Sequence, residues 1–197
     1  MRNISAEEQA AMSALEVREL SLQGLKELRP PRFTDERGFF SEVWREDRLA
    51  EIGISSRFVQ DNHSYSNRRG VLRGMHFQVP PAAQDKLVRV SRGAIFDVAV
   101  DIRSESSTFG RWEGIHLSAG EWNQLFIPEG FAHGFLTLEP DTEVIYKVTS
   151  AYAPEFEGAI RFDDPEIGIE WPIERAGLIM SDKDRAAPTL AAIGKAF

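Results

Sequence analysis

The 197-residue chain contains no cysteine, which excludes a disulfide framework, a thiolate nucleophile and any cysteine-ligated zinc or iron–sulfur site. No apolar run approaches the roughly 20 residues that a membrane-spanning helix needs. Nor does the N-terminus read as a signal peptide: Glu7, Glu8 and Gln9 precede only a short Ala-Ala-Met-Ser-Ala-Leu run, without a basic start or a sustained apolar stretch. These absences predict a soluble, cytoplasmic protein with no membrane contact. An excess of positive charge is also missing. The net charge of −8 argues against a nucleic-acid partner, because phosphate-backbone affinity rests on clustered Lys and Arg. The basic residues are unevenly placed, however. Arg57, Arg68, Arg69, Arg73, Lys86, Arg89 and Arg92 lie in one stretch against only Asp61 and Asp85, a local field that suits a small anionic substrate.

Low-complexity sequence is absent too. The 15 glycines and 10 prolines are spread along the chain as turn punctuation, and 42% hydrophobic residues suffice for one core. From Gly70 onward, short runs rich in Val, Ile, Phe and Thr alternate with Gly, Pro, Asn, Ser or Asp, the pattern of an all-β sandwich or barrel. In the clearest strand, Ala94 to Arg103, Ala94, Phe96, Val98, Val100 and Ile102 form one apolar face and Ile95, Asp97, Ala99, Asp101 and Arg103 a partly polar one. Further strands are predicted over 86–90, 112–117, 124–127, 132–138, 143–149 and 159–162. Helix is scarce: Ser5 to Leu20 carries a Ser5/Glu8 capping-box spacing, and Glu46 to Ile52 allows one or two turns. The expected organisation is an N-terminal extension over 1–20, able to form a helix, and a single domain over 21–197.

In a barrel that holds a ligand, polar residues on otherwise apolar strands are the chemical candidates; here they are His76, Lys86, His133 and Tyr146. Pro128, Gly130, His133 and Thr137 come close to the second metal-binding motif of cupin barrels. The first motif is broken, since Gln78 stands where a second histidine is needed after His76. Two imidazoles and no obvious carboxylate make a poor set for zinc or non-haem iron, so no metal is expected. His76 then has two readings, a hydrogen-bonded core histidine or a general base with a carboxylate partner. Lys86, at a strand start and facing as Val88 and Val90 do, is either a strand-end residue reaching solvent or an ammonium held to stabilise an enolate oxygen.

Several strings, in order along the chain, carry a resemblance: Asp-Glu-Arg-Gly-Phe-Phe (35–40), Val-Gln-Asp-Asn-His-Ser (59–64), Val-Leu-Arg-Gly-Met-His-Phe-Gln (71–78), Lys-Leu-Val-Arg-Val (86–90), Phe-Asp-Val-Ala-Val-Asp-Ile-Arg (96–103), Pro-Glu-Gly-Phe-Ala-His-Gly-Phe (128–135) and Asp-Asp-Pro-Glu-Ile-Gly-Ile-Glu-Trp-Pro (163–172). From about Arg32 to Pro172 the sequence resembles the dTDP-4-dehydrorhamnose 3,5-epimerase family. The resemblance implies a double-stranded β-helix, a jelly-roll barrel of the cupin class with a few short peripheral helices. It also implies a homodimer sharing strands across its interface, and epimerisation of a dTDP-linked 4-keto-6-deoxyhexose at C3 and C5 without cofactor or metal.

Both carbons flank the C4 ketone, so loss of either proton gives an enolate, and reprotonation from the opposite face inverts the centre. Carried over by motif, His76 is the base, Asp164 its orienting carboxylate, Tyr146 the acid and Lys86 the enolate-stabilising cation. Arg73 and His133 ring the sugar and phosphates, with Arg73 suited to bidentate phosphate contact. Arg37, Glu42, Gln60 and Asn62 match nucleotide-contacting positions, and Tyr152 and Glu157 a substrate-lining pair. As residues alone, Arg37 also fits a turn with Gly38, Gln60 and Asn62 fit loop backbone contacts, and Glu157 an ordinary surface acid. His63 and His116 match no catalytic position. Asp85, beside Lys86 where the family favours an uncharged residue, predicts competition for the ammonium. Alternative functions are a relative that inverts only C3 or only C5 of a related nucleotide keto-sugar, and a sugar-nucleotide-binding barrel without turnover.

Overall fold

The computed structural model describes residues 14–197. Among these residues, thirteen strands, β1 Glu16–Glu19, β2 Lys26–Arg29, β3 Phe33–Asp35, β4 Gly38–Phe40, β5 Gln60–Ser66, β6 Leu72–Gln78, β7 Lys86–Arg92, β8 Ala94–Asp101, β9 Trp112–Ser118, β10 Gln124–Ile127, β11 Phe131–Thr137, β12 Thr142–Val148 and β13 Glu157–Ala159, are joined by three short α-helices, α1 Glu46–Glu51, α2 Asp182–Arg185 and α3 Leu190–Ile193, and by two 3-10 turns, Pro154–Phe156 and Arg175–Gly177. They form a six-stranded sheet, β1-β2-β10-β7-β12-β5, a five-stranded sheet, β13-β6-β11-β8-β9, and the separate β3-β4 hairpin. Every strand pairing is antiparallel. The architecture is the expected all-β, jelly-roll type with short peripheral helices.

Apolar side chains at alternate positions close the two large sheets on each other. Val88, Val90, Leu125, Ile127 and Val144 from the six-stranded sheet meet Ile95, Ala99, Leu117, Phe131 and Phe135 from the five-stranded one. A second core lies outside the barrel. There Val98, Val100 and Ile102 pack under a C-terminal segment that brings Ile160, Ile167 and Leu190. The apolar face of β8 therefore points outward to this cover, and its partly polar face, with Asp97, points into the barrel. Both faces are buried because the C-terminal segment removes the outer one from water.

Two expectations about elements change. Residues 16–19 are not helical: they pair with β2 through Glu16↔Arg29 to Glu19↔Lys26, so the end of the expected N-terminal extension is an edge strand of the larger sheet. The rest of that extension, 1–13, lies outside the described residues. The strand predicted at 159–162 is displaced to Glu157–Ala159, in register with Gln78–His76. Among the described residues, no helix is long and apolar enough to cross a membrane.

Candidate active site

Between the two sheets opens a cavity of about 660 Å³, within the range of small-ligand sites. One wall comes from β5, β7 and β12, the other from β6, β11 and β13, and a rim from the segment around α2. His76 and His133 stand directly opposite each other across the β6–β11 pair. Just beyond them the register slips, between His133 and Phe135, where Gly74 and Gly134 let the strands approach closely. A Cβ on Gly74 would lie 2.5 Å from the Gly134 Cα, so no larger residue fits this crossing.

The His76 Nε2 meets Asp184 Oδ1 at 2.6 Å. Asp164, the expected partner, does not reach the cavity: its two carboxylate oxygens accept the backbone N–H of Glu166 at 3.0 Å and of Leu190 at 2.7 Å. It is a buried turn-and-helix clamp, and the carboxylate that meets His76 is Asp184. That residue sits on α2, a single turn whose N-cap, Ser181, accepts the Asp184 N–H. Burial pushes the Asp184 carboxyl up, but its hydrogen bond and charge interaction with His76, together with Ser181 and the Gly74 backbone, hold it below the usual range. It therefore stays ionised beside the imidazole.

Lys86 is 7% exposed, and its Nζ donates to the His76 carbonyl at 3.3 Å. Desolvation pulls its pKa down to about 8, against the opposing charges of Asp97 and Glu157. Asp85 does not compete for it: its carboxylate accepts the Glu129 N–H at 2.7 Å and the Ser56 hydroxyl. Tyr146 enters from β12, on the wall that also carries Lys86 and faces that of His76, its pKa raised by burial and partly offset by Arg73. Gln78 is fully occupied as a backbone clamp. Its amide donates to the carbonyls of Ala82 and Ala151 at 2.7 and 3.2 Å and accepts from the Ala153 N–H at 2.8 Å, fixing the loop that carries Tyr152.

Of the remaining expected residues, Gln60 and Asn62 project from alternate positions of β5 into the cavity, linked at 2.7 Å. Arg73, His133, Tyr152 and Glu157 also line it. Tyr152 donates to Glu157 at 3.0 Å, and Lys183 donates to the same carboxylate oxygen at 2.5 Å. Burial raises the Glu157 pKa, but the bonds from Lys183 and Tyr152 outweigh it and keep the carboxyl ionised. Arg37 and Glu42 lie elsewhere: Arg37 is bound to Asp35 on the β3–β4 turn, its side chain 85% exposed, and Glu42 pairs with Arg45 and Arg48. Two site residues escaped the sequence reading, Asp184 and Lys183. The string Ser-Asp-Lys-Asp (181–184), an N-cap followed by acids in a first turn, was the signal available.

The family profile described as dTDP-4-dehydrorhamnose 3,5-epimerase matches residues 19–192. The chain is 54% identical over 166 residues to the dTDP-4-dehydrorhamnose 3,5-epimerase of Methanothermobacter thermautotrophicus, covering 84% of this chain and 89% of that protein. The structure superposes with a TM-score of 0.87 on the dTDP-6-deoxy-D-glucose-3,5-epimerase of Legionella pneumophila in complex with dTDP-4-keto-L-rhamnose, at 45% identity over 91% of this chain and 94% of that one. It also resembles a 3'-monoepimerase from Streptomyces bikiniensis in complex with dTDP-quinovose, with a TM-score of 0.81 and 36% identity over 87% of this chain and 86% of that one.

Proposed function

Because the chain belongs to the dTDP-4-dehydrorhamnose 3,5-epimerase family, we propose that it is an isomerase that inverts C3 and C5 of dTDP-4-keto-6-deoxyglucose through enolates, using only its own side chains. The observation that carries this reading is a carboxylate-held imidazole on one wall of the cavity facing a buried phenol on the other. With Nε2–H donated to Asp184, His76 keeps the Nδ1 lone pair for the proton α to the ketone. Asp184 then stabilises the imidazolium that forms. Lys86, with His133, stands in the same cavity to meet the charge that develops on O4. Tyr146, kept protonated at neutral pH by its raised pKa, returns a proton from the opposite face, which is the stereochemical requirement for inversion. Proton removal and return balance within each step, and no oxidant or carrier is consumed.

Arg73 and Lys183 supply positive charge for the diphosphate, and Tyr152 an exposed ring for the nucleotide base. Arg37 and Glu42 are expected to act in a partner subunit. The β3–β4 hairpin leaves Phe33, Phe39 and Phe40 exposed, and β5, which carries Gln60 and Asn62, is a sheet edge. A homodimer in which the hairpin of one copy reaches the cavity of the other satisfies both features. The reading takes residues 21–197, with β1 paired onto them, as one functional domain, in a cytoplasmic protein that binds neither nucleic acid nor membrane.

Incubation with dTDP-4-keto-6-deoxyglucose in deuterated water tests the proposal. Deuterium is expected at C3 and at C5. Label at one carbon only would replace the double epimerase by a single-site enzyme, the reading favoured by the likeness to the 3'-monoepimerase. No label from a folded, nucleotide-binding protein would sink the catalytic reading altogether.

A further inference from the structure

Beyond the His76–Asp184 pair, the barrel holds a second histidine–carboxylate pair that the reaction scheme does not explain. His133 Nε2 meets Asp97 Oδ1 at 2.6 Å, with Asp97 0% and His133 7% exposed. Asp97 lies on β8, two positions from Ala99, the residue opposite His133 in the β8–β11 register, so the two side chains meet diagonally on the inner face. Its other oxygen, Oδ2, is sealed from solvent and has no hydrogen-bond partner. A buried carboxylate with one oxygen unbonded is costly unless nearby charge compensates it. The compensating charge is Lys86, whose buried ammonium feels Asp97 as its largest favourable charge interaction.

We propose that Asp97 is a positioning residue of this site: Oδ1 fixes His133 so that its free nitrogen, Nδ1, serves the cavity, and Oδ2 provides the negative charge that retains the Lys86 ammonium beside the sugar oxygen. The inference rests on the roles given to Lys86 and His133 under the proposed function. With Nε2–H committed to Asp97, the ring cannot rotate or change tautomer freely, and both groups that meet the enolate oxygen are anchored to one carboxylate. Asp97 is fully buried and does not line the cavity, so it touches no substrate. The carboxylates around Lys86 are Asp97 from β8 and, lining the cavity, Glu157 from β13 and Asp184 from α2, and the other charged or titratable groups of that cavity are Arg73 and His76 from β6, His133 from β11, Tyr146 from β12, Tyr152 and Lys183. Glu157 already bonds Lys183 and Tyr152, and Asp184 already bonds His76. Asp97 is the one carboxylate among them with a buried oxygen left without a hydrogen bond.

The test is Asp97→Asn, which keeps the shape and removes the charge. With the wild type active, kcat is expected to fall about 10–100-fold, KM and the affinity for dTDP to stay unchanged, and the alkaline limb of the kcat profile to move to lower pH by roughly 1 unit or more. A merely structural role would move thermal stability and leave the limb in place; an unshifted limb overturns the proposal. A second measurement needs no variant: in 15N-labelled wild-type protein, His133 Nε2 is expected to stay protonated across the pH range of activity. A deprotonated Nε2 would overturn the proposal even if Asp97→Asn fails to fold. Absence of deuterium wash-in by the wild type would instead count against the proposed function, so the two failures read differently.

Discussion

His76 shows how little a single residue reveals and how much its partner does. As a histidine on a strand it fits a core or a catalytic role, and Gln78 in place of a second histidine already steered the sequence reading toward a base. Which acid meets it was not legible. Asp163 and Asp164 stand in a recognisable motif, whereas Asp184 lies 108 residues beyond His76, on a one-turn helix whose position depends on the C-terminal segment packing over β8. Asp184→Asn should therefore lower kcat by about 10²–10⁴-fold, the range of a general base deprived of its support, with dTDP affinity retained. Asp164→Ala should do the reverse: orphaning two backbone N–H groups costs about 1–3 kcal/mol each, seen as a lower melting temperature, with kcat of the folded protein kept. An Asp164 variant that folds normally but is inactive would restore the sequence assignment. Lys86 adds a pH dependence. Its pKa of about 8 predicts that activity declines as pH rises through 8 and the ammonium is lost. The stability effect runs the other way. Burying the ammonium is costly below pH 8, and that cost is relieved as pH climbs toward the 10.5 of a free lysine, because the unfolded chain binds the extra proton in that interval. Measured relative to Lys86→Met, the wild type should thus gain stability as pH climbs from 8 toward 10; a relative loss over that interval would contradict the buried charge.

At the level of elements, strands with apolar alternation were visible and strands without it were not. The string Gln60-Asp61-Asn62-His63-Ser64-Tyr65-Ser66 contains one aromatic and no aliphatic residue, so periodicity could not mark β5 as a strand. It is polar because one face lines a polar cavity and the strand is a sheet edge. The alternation of β8 was read correctly as a pattern, but pattern alone does not say which face is inside. Its apolar face meets the C-terminal cover, and its polar face supplies the barrel with Asp97. The glycine crossing of β6 and β11 is an element-level device as well. A methyl group on Gly134 would meet Met75 Sδ at 2.6 Å and the Arg73 carbonyl at 2.9 Å. Gly134→Ala should cost about 1–3 kcal/mol by overpacking and lower kcat as His133 is displaced, checked by thermal denaturation alongside initial rates. Unchanged stability would mean that the strands can separate without loss.

The whole molecule carries a question that no single chain answers, namely what Arg37 and Glu42 do on a hairpin away from the cavity of their own subunit. Three exposed phenylalanines on or beside β3 and β4 make an isolated monomer an unfavourable arrangement in water, and the motif that carries Arg37 was read from sequence as nucleotide-contacting. Both facts are met if each cavity is completed by the neighbouring copy. Complementation separates this arrangement from a self-contained subunit. Arg37→Ala should raise KM and His76→Ala should abolish turnover, each in its own homodimer. In an equimolar mixture refolded together, half of the dimers are mixed, and each mixed dimer has one cavity with both His76 and Arg37 intact. Under twofold symmetry the mixture should then recover about one quarter of wild-type activity at a substrate concentration where neither parent is active. If Arg37 served its own subunit, the mixture would show no more than the average of the two parents. Sedimentation of Phe40→Ser provides the physical counterpart: Phe40 is 70% exposed, and its loss should shift the dimer toward monomer and raise KM in the same proportion, because assembly and substrate binding would depend on the same hairpin.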